Sequence, residues 1–440
     1  MRALGASLRW FWATGLTQPR VRARCAAALA LALLLLLGEL ALETPASEAA
    51  RMLPARFSAW AAEGAPPTQH ECAPCGCAWA WGAEAAAAFA PACARDAELE
   101  AFAAADVGPQ GAEARARASA LQRTISPSAT SVEACYGLLE EVHAATAAAA
   151  SPLPPPALWH AYWKPDTGAG FHAVHAGAIE AFLATQPENA VLVVWVPVPQ
   201  APPAALLPLA RAFPRRLRVR ALDILWEARG SPVENSFMLR LTDELSWIDG
   251  DFVRMVLLWR YGGFYIDMDV LLLRDATPLL GTEFVTEFDC GGGTNGAVLR
   301  MFARGATATA LLRLASATRP RLAMWTFGPW LLEKFRAGSA ATGLHKLPWC
   351  FYHGIWCGEL PRGALEGALP WSRQQLGAAF GLHLHGAAKG GGPIYFDSIL
   401  GTKMVEHRGA LLQRMARAGS HVELAPLFEA QPKRGFGQWW

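Results

Sequence analysis

Apolar and polar positions change rhythm twice along the chain. After a short basic stretch, Cys25–Leu42 is almost wholly apolar, broken only by Gly38 and Glu39. As a helix rising ~1.5 Å per residue this run reaches about 27 Å, enough for a thin bilayer. Arg2, Arg9, Arg20, Arg22 and Arg24 precede it with no acid among them, and Glu43 and Glu48 follow. Arginine excess marks the cytosolic flank, so 1–24 is expected as a cytosolic tail and 25–42 as a signal anchor, with the rest in the lumen. A cleaved signal peptide has a similar core but a shorter basic region, and a transit peptide would be amphipathic.

From 43 to 153 the sequence is Ala-rich with scattered Pro, Cys and charge and has little sustained apolar period. It reads as a stem with some helical pieces. Ser151-Pro-Leu-Pro-Pro-Pro156 is a stiff, extended boundary. Beyond it strand and helix patterns alternate, and a catalytic domain is expected over 154–430, with 431–440 as a C-terminal tail. Strands are predicted at Ala157–Trp163, Val191–Val198, Leu217–Leu222, Phe264–Ile266 and Phe284–Phe288, and helices at Phe171–Thr185 and Phe252–Arg260. Val191–Val198 is apolar without alternation, as parallel strands buried on both faces are. The pattern predicts an α/β domain with a mostly parallel sheet flanked by helices.

Composition narrows the function classes. The formal net charge of +2, with no concentrated basic face, argues against nucleic-acid binding. The 18 Trp can serve the core or stack on sugars and bases. Of the nine cysteines, Cys72, Cys75, Cys77, Cys93 and Cys135 cluster before the main domain. Cys72-x-x-Cys75-x-Cys77 lacks a matching second half for a zinc knuckle, so disulfides are the better reading in a lumen. Cys350 and Cys357 bracket an aromatic loop and suggest a local disulfide. His160, His172 and His175 read as packing or surface residues, and Trp247, Trp259, Trp325 and Trp330 as core, the last two flanking a segment that could meet an acceptor.

The densest chemical signal runs from Asp251 to Asp269. Asp251 and Arg254 lie three apart and share a helix face, and two charges in so apolar a segment need each other or a ligand. Gly262-Gly263 lets the chain turn sharply into the next strand. Asp267 and Asp269, two apart in an extended segment, are expected to point to one side at a strand's carboxyl end. Two carboxylates so placed repel unless a cation bridges them, and their hard oxygens suit Mn²⁺ or Mg²⁺.

This segment resembles the DXD-containing sugar-binding region of glycosyltransferase family 32, which includes α-1,4-galactosyl-, α-1,4-N-acetylglucosaminyl- and fungal mannosyltransferases. The resemblance spans about Pro156 to Lys389 and is closest to the α-1,4-galactosyltransferase branch. It takes in Pro156-Ala-Leu-Trp-His-Ala-Tyr-Trp163, Thr185-Gln-Pro187, Leu222-Asp223, Ser231-Pro232-Val233, Thr294-Asn295-Gly296-Ala297, Gly328-Pro329 and His383-Leu-His385. It implies a glycosyltransferase-A-like, Rossmann-type fold and a retaining, metal-dependent hexosyltransferase of the Golgi or endoplasmic reticulum. The implied donor is UDP-galactose, UDP-N-acetylglucosamine or GDP-mannose, and the acceptor a glycan or glycolipid. Among the residues, it implies that Asp251 and Arg254 bind the transferred sugar. Asp267 would contact ribose or a metal-bound water, Asp269 the metal, and His383 would complete the metal or diphosphate site. Trp163 would stack on the base and Asn295 lie near the sugar or acceptor, with His385 and Lys389 also on the donor side. The family often has Trp where His385 stands, which leaves open how His383 and His385 divide the work.

Other readings remain. A haloacid-dehalogenase-like phosphatase also places Asp-x-Asp after a hydrophobic strand, but that fold begins near its aspartates and needs a later Lys and acidic pair. A glycosidase needs carboxylates on opposite sides of a bond. A catalytically inactive lumenal homologue would not need the Asp251, Arg254, Asp267 and Asp269 set.

Overall fold

The computed structural model describes residues 83–107, 132–148, 156–164, 171, 173–198, 200–240, 247–288, 293–318, 327–338, 343–352, 378–384, 399–417 and 424. All belong to one compact unit, His70–Trp440. The expected span 25–42 lies outside the described residues, among which no helix is long and apolar enough to cross a membrane.

The longer elements in chain order are α1 (Asp96–Val107), α2 (Val132–Ala148), β1 (Leu158–Tyr162), α3 (Ala173–Thr185), β2 (Val191–Pro197) and β3 (Leu217–Leu222). Next come α4 (Trp247–Tyr261), β4 (Gly263–Ile266), β5 (Val270–Leu272), β6 (Phe284–Glu287), β7 (Thr294–Met301), α5 (Ala306–Ala317) and α6 (Phe327–Ala337). The last are β8 (His345–Leu347), β9 (Gly381–His383) and α7 (Ile399–Arg417). Seven strands form one sheet in the order β3-β2-β1-β4-β7-β6-β8, and β5 pairs with β9 separately. Four neighbouring pairs of the large sheet are parallel, and β7 runs antiparallel between β4 and β6. The fold is thus mixed α/β with a mostly parallel sheet flanked by helices.

The continuous apolar run of β2, and the apolar residues around His160 in β1, are explained by burial on both faces. Trp159, Leu192, Val194 and Phe264 enter one core with Phe182 of α3, while Leu158, Val193 and Trp195 enter another with Val253, Leu257 and Tyr261 of α4. Trp159 stacks on Phe264 with ring centres 4.1 Å apart and meets the edge of Phe182. Offset and edge-on ring pairs add to the area they bury. His160, fully buried, accepts from Trp195 Nε1 at 3.0 Å and bonds the Gly262 carbonyl at 2.9 Å, a packing role.

Gly262 and Gly263 both have positive φ, +67° and +87°. A Cβ on Gly263 would collide with the Leu158 carbonyl of β1, so the close approach of β1 to β4 requires glycine there. That turn carries the chain from the end of α4 into β4 and fixes where β4 ends.

Residues 83–107 and 132–148, in the stretch expected as a stem, contribute helices that pack on the sheet. Ala94 N donates to Val219 O at 3.0 Å, and Cys93 bridges Val219, so this segment covers the β3 edge. From α1, Asp96 pairs with Arg220, Glu98 with Arg218 and Asp106 with Arg300. Cys135 of α2 is disulfide-bonded to Cys350. This corrects the expected local bridge between Cys350 and Cys357: the thiol of Cys350 is taken by a partner 215 residues earlier. Trp259 is core, but Trp330 is 41% exposed on α6 and not core, because α6 turns Leu331, Leu332 and Phe335 inward instead.

Candidate active site

Asp267 follows the last residue of β4, and Asp269 precedes the first of β5. Between them the backbone makes a tight turn closed by Val270 N donating to Asp267 O at 3.1 Å. The two carboxylates therefore converge because the chain reverses, and not through the alternation of an extended segment, which corrects that expectation. β9 then runs antiparallel to β5 and sets His383 opposite Val270. Leu384 N donates to Asp269 O at 2.9 Å, and His383 Nε2 lies 3.2 Å from Asp269 Oδ1. One ligand atom each from Asp267, Asp269 and His383 falls within 4.8 Å of the others. Two carboxylates and one imidazole are a donor set that suits a divalent ion such as Mn²⁺.

Arg254 reaches this cluster from α4. Its guanidinium lies 3.3 Å from Asp267 Oδ1 and 3.4 Å from Asp251 Oδ1, and it stands over the Tyr265 ring at 4.9 Å. Burial alone would lower its pKa, but the carboxylates of Asp267 and Asp251 outweigh burial and hold the group charged, above its ordinary range. Gly296 of β7 lies against the Arg254 side chain and has no room for a Cβ. Asp251 also accepts from Gly328 N at 2.7 Å, which pins the start of α6 to α4.

Tyr265 was not singled out from sequence. It precedes Asp267 by two residues, and its buried phenol hydrogen-bonds that carboxylate. Burial, then the charge of Asp267, push the phenol well above its usual range, so it stays a donor. Its only sequence signal was the two-residue spacing on a strand, which puts it on the same side as Asp267.

The remaining expected residues sit as follows. Trp163, just past β1, is buried and meets Phe171 and His175 edge-on, with centres 5.1 and 4.7 Å away. Asn295 turns its side chain back on its own strand, accepting from Ala297 N at 2.6 Å. His385 and Lys389 lie outside the described residues. The structure thus brings together Asp251, Arg254, Asp267, Asp269 and His383. A nearby group escaped notice: Lys164 and Tyr162 both donate to Asp249, two residues before Asp251, at 2.8 and 3.1 Å.

An aspartate pair at a strand's carboxyl end, an imidazole beside it and an anchored arginine form the arrangement that resemblance to a DXD sugar-binding region led us to expect. In agreement, residues 232–285 match the family model described as the glycosyltransferase sugar-binding region containing the DXD motif. This chain is a glycosyltransferase that carries that region. No curated protein matches it. Among solved structures it is similar to the PaToxG glycosyltransferase, at 12% identity over 46% of this chain and 76% of that one, with a TM-score of 0.33. It is also similar to the bifunctional glycosyltransferase WbbM, at 12% identity over 61% and 52% of the two chains (TM-score 0.37). An active-site mutant of LgtC matches at 14% identity over 57% and 95% (TM-score 0.31).

Proposed function

We propose that this protein is a metal-dependent, retaining hexosyltransferase with a glycosyltransferase-A-like fold, using UDP-galactose, UDP-N-acetylglucosamine or GDP-mannose. The acceptor is a glycan or glycolipid, and residues 25–42 anchor the enzyme in the Golgi or endoplasmic reticulum with the catalytic domain lumenal. The observation that carries the reading is the meeting of Asp267, Asp269 and His383 within 4.8 Å, beside an arginine held between two carboxylates.

These three residues would hold a divalent ion, which when bound offsets the negative charge gathering on the departing nucleoside diphosphate. The protein's own groups do the rest. Tyr265 and Arg254 fix Asp267, so one donor of the site is oriented before the substrate arrives. Arg254 and Asp251 flank the place where the transferred hexose would lie and supply a donor and an acceptor for its hydroxyls. No side chain presents itself as a nucleophile among the described residues of the site, so retention would proceed by front-face attack assisted by the leaving phosphate. Capture of a covalent glycosyl adduct on a side chain would overturn that route.

The direct test is nucleotide release by the purified full-length chain with each of the three donors, with and without Mn²⁺. Release from one donor that needs the ion supports the reading, and no release from any donor refutes it. Asp269→Ala should abolish the metal-dependent turnover while leaving the domain folded by circular dichroism.

A further inference from the structure

We propose that the Cys135–Cys350 disulfide is a positioning element for His383, so that the divalent-ion site depends on it. The inference rests on the metal reading above. Cys350 lies in a single helical turn, Trp349–Phe351, and both half-cystines are fully buried. The carbonyls just after Cys350 carry β9: Phe351 O accepts from Phe380 N at 3.1 Å, and Tyr352 O accepts from His383 N at 2.8 Å. The backbone of His383 itself therefore hangs on the residue two beyond the half-cystine. Its other neighbour is β5, and a two-stranded pair of three residues each has little stability of its own.

The turn is in turn anchored by α2. Besides the disulfide, Tyr136 of α2 meets Trp349 edge-on at 6.1 Å; from elsewhere Trp349 N donates to Glu287 Oε2 at 3.3 Å, and Phe351 stacks on Phe380 at 5.5 Å. Asp267 depends on a different support, its N donating to Ala297 O of β7 at 2.8 Å, whereas Asp269 also takes a bond from Leu384 N just past β9. Loss of the disulfide should therefore loosen the imidazole first and leave Asp267 in place. The site would lose its nitrogen donor and keep the Asp267 carboxylate.

The test uses the full chain and Mn²⁺ alone, with bound ion read by electron paramagnetic resonance. Wild type, Cys135→Ala, His383→Ala and the double variant are titrated, and thermal midpoints are measured alongside. Cys135→Ala should weaken Mn²⁺ binding about tenfold, as loss of an orienting contact does. In the His383→Ala background it should weaken binding no further, because the ligand it positions is gone. A disulfide that only stabilises the fold would lower the thermal midpoint of both chains and leave Mn²⁺ affinity unmoved, which would overturn the proposal. Equal additional loss in the double variant would overturn it as well. Wild type that binds no Mn²⁺ would sink the metal reading and this inference with it. If Cys135→Ala does not fold, the native chain is reduced with dithiothreitol and the reduced fraction is counted by alkylation and mass spectrometry. Unchanged affinity in the reduced, folded chain then refutes the proposal.

Discussion

Replacing Asp106 by alanine should destabilise the whole sheet although Asp106 lies far from it in sequence. Arg300 is the penultimate residue of β7 and is 1% exposed. Both oxygens of Asp106 face its guanidinium, and Asp106 also accepts from Ala303 N at 3.1 Å. Phe264 and Phe302 flank the charge at 5.7 and 4.5 Å, so water cannot readily replace the carboxylate. Breaking a buried ion pair by removing one partner costs about 3–5 kcal/mol, because the other charge stays desolvated. Against a typical stability of roughly 5–15 kcal/mol this is a large share. Urea unfolding followed by tryptophan fluorescence would show the loss as a lower midpoint with the same slope. Asp96→Ala is the control: its side chain is 63% exposed, and the effect should stay within about 1 kcal/mol. A loss below about 1 kcal/mol for Asp106→Ala, or an equal loss for both variants, would refute the reasoning.

Three further outcomes follow from the geometry. Tyr265→Phe should keep the fold and lower turnover about tenfold, since a bond to a charged group contributes roughly 1.5–3 kcal/mol; wild-type rates would count against its orienting role. Gly263→Ala should lose about 2 kcal/mol or more from left-handed backbone strain and the collision with Leu158, whereas Gly409→Ala, with open space around it, should be neutral or slightly stabilising. Equal melting points for these two alanine variants would contradict it. Burial pulls His160 down from 6.5 to about 4, so between those values the unfolded chain binds the proton that the folded chain refuses. Stability should therefore be retained above pH 6.5 and fall by about 3 kcal/mol as pH drops through 4. A His160→Gln variant with an undiminished pH slope would show that this residue is not responsible.

Much of the sheet was legible because strands buried on both faces leave unbroken apolar runs, as in Val191–Pro197, whereas Leu217–Leu222 was read through Arg218 and Arg220 from its apolar alternation. The helix bearing Asp251 and Arg254 was legible for a related reason: charges stand out where nearly every neighbour is apolar. The site was only half so. Asp267 and Asp269 announced themselves, but their convergence comes from a turn, whose closing bond has no residue signature in Asp-Met-Asp-Val. His383 reaches them through a strand pairing more than a hundred residues away, and only family resemblance suggested it. The packing of α1 was hidden because its alanines carry no strong period and its acids meet arginines beyond residue 200. For the disulfide the local clue, Cys350 and Cys357 around an aromatic loop, pointed to the wrong partner.

The distance in sequence between Cys135 and Cys350 also sets an order of events during synthesis. At roughly 5–20 residues per second, the 215 residues between them take on the order of ten to forty seconds to emerge. Through that interval Cys135 has no access to the cysteine it finally bonds. The nascent chain can build β1, β2 and β3 early, yet α2 cannot be tethered until the turn at Cys350 arrives, and β9 follows it by some thirty residues. Competence for catalysis would therefore be acquired late and all at once, and a chain released before that point would carry its aspartates without the strand that completes them.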